Sequence, residues 1–188
     1  RLMHRHLSIA SDVPAKLIRA GGLAGHDADR VLEAAKKIET QALVIDDQTI
    51  RSVTQLASNV KLLRHRHRID VVFVDYLQRM QPPEGRRYSS GEERIAAVSE
   101  AMKDIALSEQ VAIVCLAQLN RELLKRDDTR PRLSDLRGSG QIEQDADVIA
   151  LMHRPWLYLT REQQGERFGE RGVTAVQFDK TRDAGPFS

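Results

Sequence analysis

The sequence predicts an α/β fold built on a largely parallel sheet flanked by helices. Two observations lead there. Short apolar runs recur at residues 42–46, 69–75, 111–116, 148–152 and 173–178. Stretches with apolar residues at helical spacing alternate with them. Such alternation implies crossover connections, which make neighbouring strands parallel and cover a sheet on both faces. Chemistry in sheets of this kind collects at the carboxyl ends of the strands. Asp75, Gln118, the turn at Arg137 and the residues after Phe178 are therefore expected on one rim.

Taken in order, residues 1–20 read as helices, with Leu2, Met3, Leu7 and Ile9 loosely periodic. Pro14 can open a second helix after a capping Asp12, and Gly21-Gly22 can close it. A third helix is expected over 27–39, with Val31, Leu32, Ala35 and Ile38 on one face. Residues 42–46 form a short apolar run ending in acids, a buried-strand pattern. Ser52 is a capping residue for a helix striped by Val53, Leu56, Val60 and Leu63. Basic residues gather near its C-terminus, where the helix dipole favours them.

The strand at 69–75 follows, and then the turn-rich segment 81–91, expected to be a mobile loop. Ile95, Val98, Met102, Ile105 and Ala106 stripe the next helix, which leads into the strand at 111–116. Residues 125–133 are polar with little periodicity, a second expected mobile loop. The strand at 148–152 and a polar connection over 160–172 complete the pattern before the last strand. There is no internal repeat, and 188 residues suit a single domain spanning the chain.

Composition narrows the class. Hydrophobic content of 41% and charged content of 30% describe a globular chain rather than a disordered one. No apolar run approaches the roughly 18–20 residues needed to span a membrane, so no membrane role is expected. The one cysteine, Cys115, lies in an apolar run and reads as a reduced, buried thiol, which points to the cytoplasm. A formal net charge of +2 does not announce a nucleic-acid binder. Locally, residues 61–68 are basic without an acid, and 121–137 carry six basic and four acidic residues. Either run can touch phosphates, although a solvated helix end explains such runs as well. The histidine pairs His4/His6 and His65/His67 are spaced i, i+2, which on a helix separates the rings, so no zinc site is expected.

Four stretches carry chemistry. The first is Ser134-Asp-Leu-Arg-Gly-Ser-Gly-Gln-Ile-Glu-Gln-Asp-Ala-Asp147. Two glycines flank Ser139, so the backbone from Arg137 to Gly140 can adopt positive φ and come close to a ligand. Exposed N–H groups beside an arginine suit a phosphate. The second, Val71-Val-Phe-Val-Asp75, sets a carboxylate at the tip of an apolar strand, where it can orient Mg²⁺ on a nucleotide through water. The third is Leu116-Ala-Gln-Leu-Asn-Arg121. Its uncharged amide, Gln118, can donate to a phosphate oxygen and accept from water or backbone. The fourth, Lys180-Thr-Arg-Asp-Ala-Gly-Pro186, places two cations after the last strand. An ordinary strand end or surface turn remains the alternative for each of these taken alone.

Together the four resemble the motor domain of DnaB-family replicative helicases. That family usually reads S-D-L-R-E-S-G-S-I-E-Q-D-A-D, so Gly138 stands in place of Glu and Gln141 in place of Ser. Val-Asp75-Tyr-Leu-Gln78 resembles its Walker B strand, and the Gln118 segment its S-Q-L-N-R, with Ala117 in place of Ser. The last stretch is similar to K-x-R-N-G-P, with Asp183 a common variant and Ala184 one residue more than the family has there.

The resemblance implies a RecA-like fold and ATP-driven unwinding of duplex DNA by a hexameric ring moving on single-stranded DNA. It implies ATP and Mg²⁺ as cofactors, with Asp75 holding the metal through water. Gln118 is implied as γ-phosphate sensor, and Lys180 and Arg182 as cations reaching a neighbouring subunit's site. By the same resemblance Arg137, Gly138, Ser139 and Gly140 contact DNA, and primase and a helicase loader are partners of the intact protein.

No G-x-x-x-x-G-K-[ST] occurs in the sequence, and the family's phosphate loop, first strand and catalytic Glu are expected upstream of Arg1. The chain is thus expected to lack N-terminal strands of the motor and to be inactive alone. The alternative is a non-catalytic RecA-like module for DNA binding or assembly. A recombinase fits the wording around Arg137 and Tyr76-Leu77-Gln78 less well.

Overall fold

In the computed structural model the chain forms two compact units, residues 1–48 and 49–188. The structure describes residues 2–46, 51–136, 138–166 and 171–182.

The first unit contains helices α1 (Leu2–Ser11), α2 (Ala15–Ala20) and α3 (His26–Glu39). Val13, Ala34 and Ile38 are its buried apolar residues. Leu32, expected on the inner face of α3, points to solvent; the inward stripe runs through Ala34 instead. Asp12 does not cap α2. It takes a left-handed φ of 54° at the end of α1, and its carboxylate pairs with Arg30 of α3 at 3.2 Å. Pro14 occupies the capping position, its carbonyl accepting from Leu17 and Ile18. Gly21, at φ 71°, closes α2 as its sequence suggests. Residues 42–46 form no strand. Leu43, Val44 and Ile45 lie exposed, because an extended segment without a ladder neighbour gains no burial.

The second unit opens with α4 (Val53–His67), started by a reciprocal cap. Ser52 Oγ accepts from Gln55 N at 3.2 Å, and the Gln55 side chain accepts from Ser52 N at 3.3 Å. Arg64 closes the helix's far end by donating to Ile69 O and to the Asp70 carboxylate, at 2.8 and 2.9 Å. Then come β1 (Val71–Val74), α5 (Gly91–Glu109) and β2 (Ala112–Cys115). The strands pair in parallel, with Val71 opposite Ala112 and Val74 opposite Cys115. This is the crossover the alternating pattern requires. Helix α6 (Ser139–Asp145) leads into β3 (Val148–His153), and α7 (Arg161–Glu166) precedes β4 (Ala175–Thr181).

Parallel pairing does not extend to the last two strands. β3 and β4 run antiparallel with a bulge at Ile149/Ala150. A single apolar run carries no information about strand direction, so the sequence could not show this.

One core joins α4, α5 and the inward faces of the strands, centred on Val60, Val98, Met102, Ile105, Ile149 and Leu151. Within this unit the described helices cover one face of the β1–β2 sheet rather than two. On the other face Val71, Phe73, Val114 and Leu116 are exposed, Phe73 to 75%.

The two stretches without regular patterning are tied by specific bonds. Gln81 N donates to Arg51 O at 2.6 Å, and the Tyr88 hydroxyl donates to Pro83 O at 3.0 Å. Between β2 and α6, two 3₁₀ turns (Arg121–Lys125 and Leu133–Asp135) are joined by Arg126, which lies 2.7 Å from the buried Asp135 carboxylate.

Candidate active site and nucleic-acid interface

Asp75 and Gln118 follow neighbouring parallel strands, and the main chain keeps them there. Leu116 N donates to Val74 O at 3.0 Å, and Leu77 N donates to Leu116 O at 2.8 Å, so pairing continues past the ends of β1 and β2. Asp75 is exposed at the tip of β1, and the peptide joining it to Tyr76 is cis. Gln118 is also exposed. Its main chain is gripped by Gln78, whose Oε1 accepts from Gln118 N at 3.1 Å while Nε2 donates to Gln118 O at 3.2 Å. Gln78 was visible in the sequence only as a letter of the strand-end stretch.

From Gln118 the chain passes directly to the segment before Arg137. Leu119 and Leu136 form an antiparallel bridge, and Asn120 N donates to Asp135 O at 2.7 Å. The Asp135 carboxylate, itself buried, accepts from Arg126 Nη2 and from Arg132 N at 2.7 and 2.8 Å. Arg137 lies outside the described residues. Gly138 has φ 78°, and a Cβ there would stand 3.1 Å from Ile95 Cγ2 of α5. The conformation favours glycine, and a side chain would also require Ile95 to give way. The flexible stretch expected to reach Gly140 is shorter than the sequence implied. Ser139 opens α6, and Gly140 lies within its first turn.

Lys180 and Arg182, at the end of β4, engage the C-terminal end of α6. Lys180 Nζ donates to Glu143 O. Arg182 donates to Gln144 O at 2.8 Å and approaches the Asp147 carboxylate at 3.2 Å. Cations at this helix end satisfy carbonyls left without an intrahelical partner. Asp147 also takes Lys103 of α5, at 2.7 and 2.6 Å to its two oxygens. Hydrogen bonding from Lys103 holds the Asp147 carboxyl below its usual range, and the charges of Lys103, Arg182 and Lys180 act in the same direction. Asp183, Ala184, Gly185 and Pro186 lie outside the described residues.

Two groupings result. Asp75, Gln78 and Gln118 gather at the ends of β1 and β2, while Lys180 and Arg182 meet Asp147 and α6. Among the described residues no three His, Cys, Asp or Glu side chains converge on a possible metal position. A cation held by Asp75 would keep most of its ligands as water or phosphate, as Mg²⁺ does at nucleotide sites.

Comparison with known proteins adds to this geometry. Residues 1–187 match the family model described as the DnaB-like helicase C terminal domain. The replicative DNA helicase DnaB of Rickettsia prowazekii (strain Madrid E) is 32% identical over 166 residues, which is 87% of this chain and 33% of that protein. A probable plasmid replicative DNA helicase of Chlamydia psittaci is 30% identical over all 188 residues, 39% of its length. The chain therefore spans about a third of the length of the relatives it matches. Among solved structures, one described as an ATPase domain superposes with a TM-score of 0.81 at 29% identity, over 96% of this chain and 62% of that one. A DnaB-like replicative helicase, solved in a study of its interactions with primase, gives 0.79 at 28% identity, over 96% and 43%. The fold is that of these RecA-like ATPase domains.

Proposed function

The chain belongs to the family of DnaB-like helicase C-terminal domains, and on that premise we propose that it is the latter part of an ATP-driven replicative helicase motor. The observation that carries the proposal is that Asp75 and Gln118 follow adjacent parallel strands, with Gln118 continuing by main-chain bonds toward Arg137. A site for nucleotide chemistry and a site for DNA are thereby parts of one hydrogen-bonded framework.

The residues present fit the nucleotide in part. An exposed carboxylate at a strand tip suits water-mediated contact with Mg²⁺, and a neighbouring neutral amide suits a phosphate oxygen. The phosphate-cradling G-x-x-x-x-G-K-[ST] is not in this sequence, so the 188 residues alone bind ATP weakly and do not hydrolyse it. When bound, Mg²⁺-ATP supplies the phosphoryl transfer that drives movement. Asp75 would hold the ion through water, and Gln118 would donate its amide hydrogens to a phosphate oxygen. Lys180 and Arg182, bonded here to the end of α6 and to Asp147, would exchange those bonds to present positive charge to the site of a neighbouring copy in a hexameric ring. Such cations act on charge that develops during transfer. Arg137, Gly138, Ser139 and Gly140 hold single-stranded DNA by its phosphates, a contact that carries no sequence information and so permits translocation. Primase and a loader act on the whole protein, in the cytoplasm at a replication fork.

Unwinding of a forked duplex by the polypeptide that carries this chain tests the reading. Strand separation should require ATP and be lost in Asp75→Asn. A purified hexamer that binds ATP yet separates no strands would overturn it and favour a non-catalytic DNA-binding or assembly role.

A further inference from the structure

Gln78 has no part in the chemistry just described, yet its whole side-chain amide is committed to one residue. Oε1 accepts from Gln118 N at 3.1 Å and Nε2 donates to Gln118 O at 3.2 Å. Main-chain pairing between the β1 and β2 ends stops at the Leu77–Leu116 bond. The carboxamide of Gln78 then extends it by one residue, presenting the same donor and acceptor that a strand would. On its other side Gln118 is followed by the Leu119–Leu136 bridge and the Asn120–Asp135 bond. Gln118 thus stands between two anchors. One belongs to the segment carrying Asp75, the other to the segment that leads into Arg137.

We propose that Gln78 is a positioning residue that fixes Gln118 relative to Asp75 and sets how a displacement of Gln118 is passed through the Leu119–Leu136 bridge toward Gly138. This rests on the functional reading above and assigns Gln78 a part in it. The residue type matters. A carboxylate at this position keeps the acceptor for Gln118 N but sets an oxygen against Gln118 O. A thioether keeps the length and loses both bonds. An Asn side chain is too short to reach both groups from the same backbone. A loosened Gln118 still lies beside the nucleotide position, but its main chain no longer moves as one piece with the Leu119–Leu136 bridge.

The test uses the full polypeptide that carries this chain, assayed for ATP hydrolysis with and without a poly(dT) single strand. In Gln78→Met and Gln78→Glu the ratio of DNA-stimulated to basal hydrolysis should fall about tenfold, the equivalent of losing a net hydrogen bond or two. The loss should appear in kcat with DNA, with KM for ATP changed less than about twofold, because the positioning concerns the response to DNA. Exchange of the Gln118 amide proton should quicken in both variants, a readout available even where activity is low. An unchanged ratio in two folded variants would overturn the inference and leave Gln78 a local packing contact. So would a loss confined to KM. A wild-type protein that hydrolyses ATP with no response to poly(dT) would overturn the functional reading itself, and this inference with it.

Discussion

The Lys103 ammonium lies 2.7 and 2.6 Å from the two carboxylate oxygens of Asp147, which also faces the Arg182 guanidinium at 3.2 Å. One carboxylate thereby ties α5 to the residue that opens β3 and to the end of β4. The Lys103 hydrogen bonds are the largest cause of the lowered Asp147 pKa. A depressed carboxyl pKa contributes stability that is present above the unfolded value of about 3.9 and is lost as pH falls through the folded value. In Lys103→Met the Asp147 pKa should therefore rise, and the acid-side loss of stability should shallow. NMR titration of the Asp147 carboxyl and urea melts between about pH 2 and 5 read both. An unchanged Asp147 titration would show that the ion pair does not persist in solution.

The thiol of Cys115 behaves in the opposite sense. Burial pushes its pKa up to about 11, well above the ordinary value of about 8.5. With the folded value raised, its contribution is intact below the unfolded pKa and lost as pH climbs through the folded one. Stability should fall between about pH 8.5 and 11, and Cys115→Val should flatten that limb. Labelling by a thiol reagent near neutral pH should be slow in the native protein, since little thiolate is present. Rapid native-state labelling would contradict the partial burial of this thiol.

Gly138 offers a sharper test of geometry. Its φ of 78° and the 3.1 Å approach of a would-be Cβ to Ile95 both oppose a side chain. Gly138→Ala should destabilise by about 1–2 kcal/mol from the left-handed backbone alone, with the contact adding to it. Gly138→Glu, the residue usual in the family resembled, should do no better. A thermal melt that leaves Gly138→Ala at wild-type stability would mean the turn relaxes to another conformation.

How much of this was legible beforehand depends on the kind of information each feature carries. Ser52 and the stripe through Val53, Leu56 and Val60 were readable because caps and helical spacing are local. The β1 and β2 runs were readable as strands and, through the intervening helix, as parallel neighbours. Strand direction in β3–β4 was not, since it depends on a partner far along the chain. Residues 42–46 misled because an apolar run records hydrophobicity and not whether a strand lies beside it. At the site, the stretches around Asp75, Gln118 and Lys180 announced themselves by their wording. What holds those residues did not. The Gln78 fork spans 40 positions, and the contacts of Lys180 and Arg182 with α6 span 37 and 38. No local pattern reports such pairings.

The segment before Arg137 depends on a charge pair that sequence reading passed over. Asp135 is buried, and Arg126 Nη2 meets it at 2.7 Å. Arg126→Met should leave that carboxylate with Arg132 N as its remaining described partner. A loss of about 2–3 kcal/mol is expected, less than the roughly 3–5 for a fully buried pair, because Arg126 is partly exposed. Chemical denaturation of the wild type and variant measures it. A change under about 0.5 kcal/mol would indicate that the segment is held by its main-chain bonds alone.

The most direct test of the motor reading is ATP hydrolysis by the full polypeptide that carries this chain, measured with and without single-stranded DNA and in Gln118→Ala beside the wild type. Stimulation by DNA of about tenfold or more, abolished in Gln118→Ala while ATP still binds, is the expected result. Hydrolysis that is absent, or equal with and without DNA, would contradict the assignment of Asp75 and Gln118 to one nucleotide site coupled to the segment that leads into Arg137.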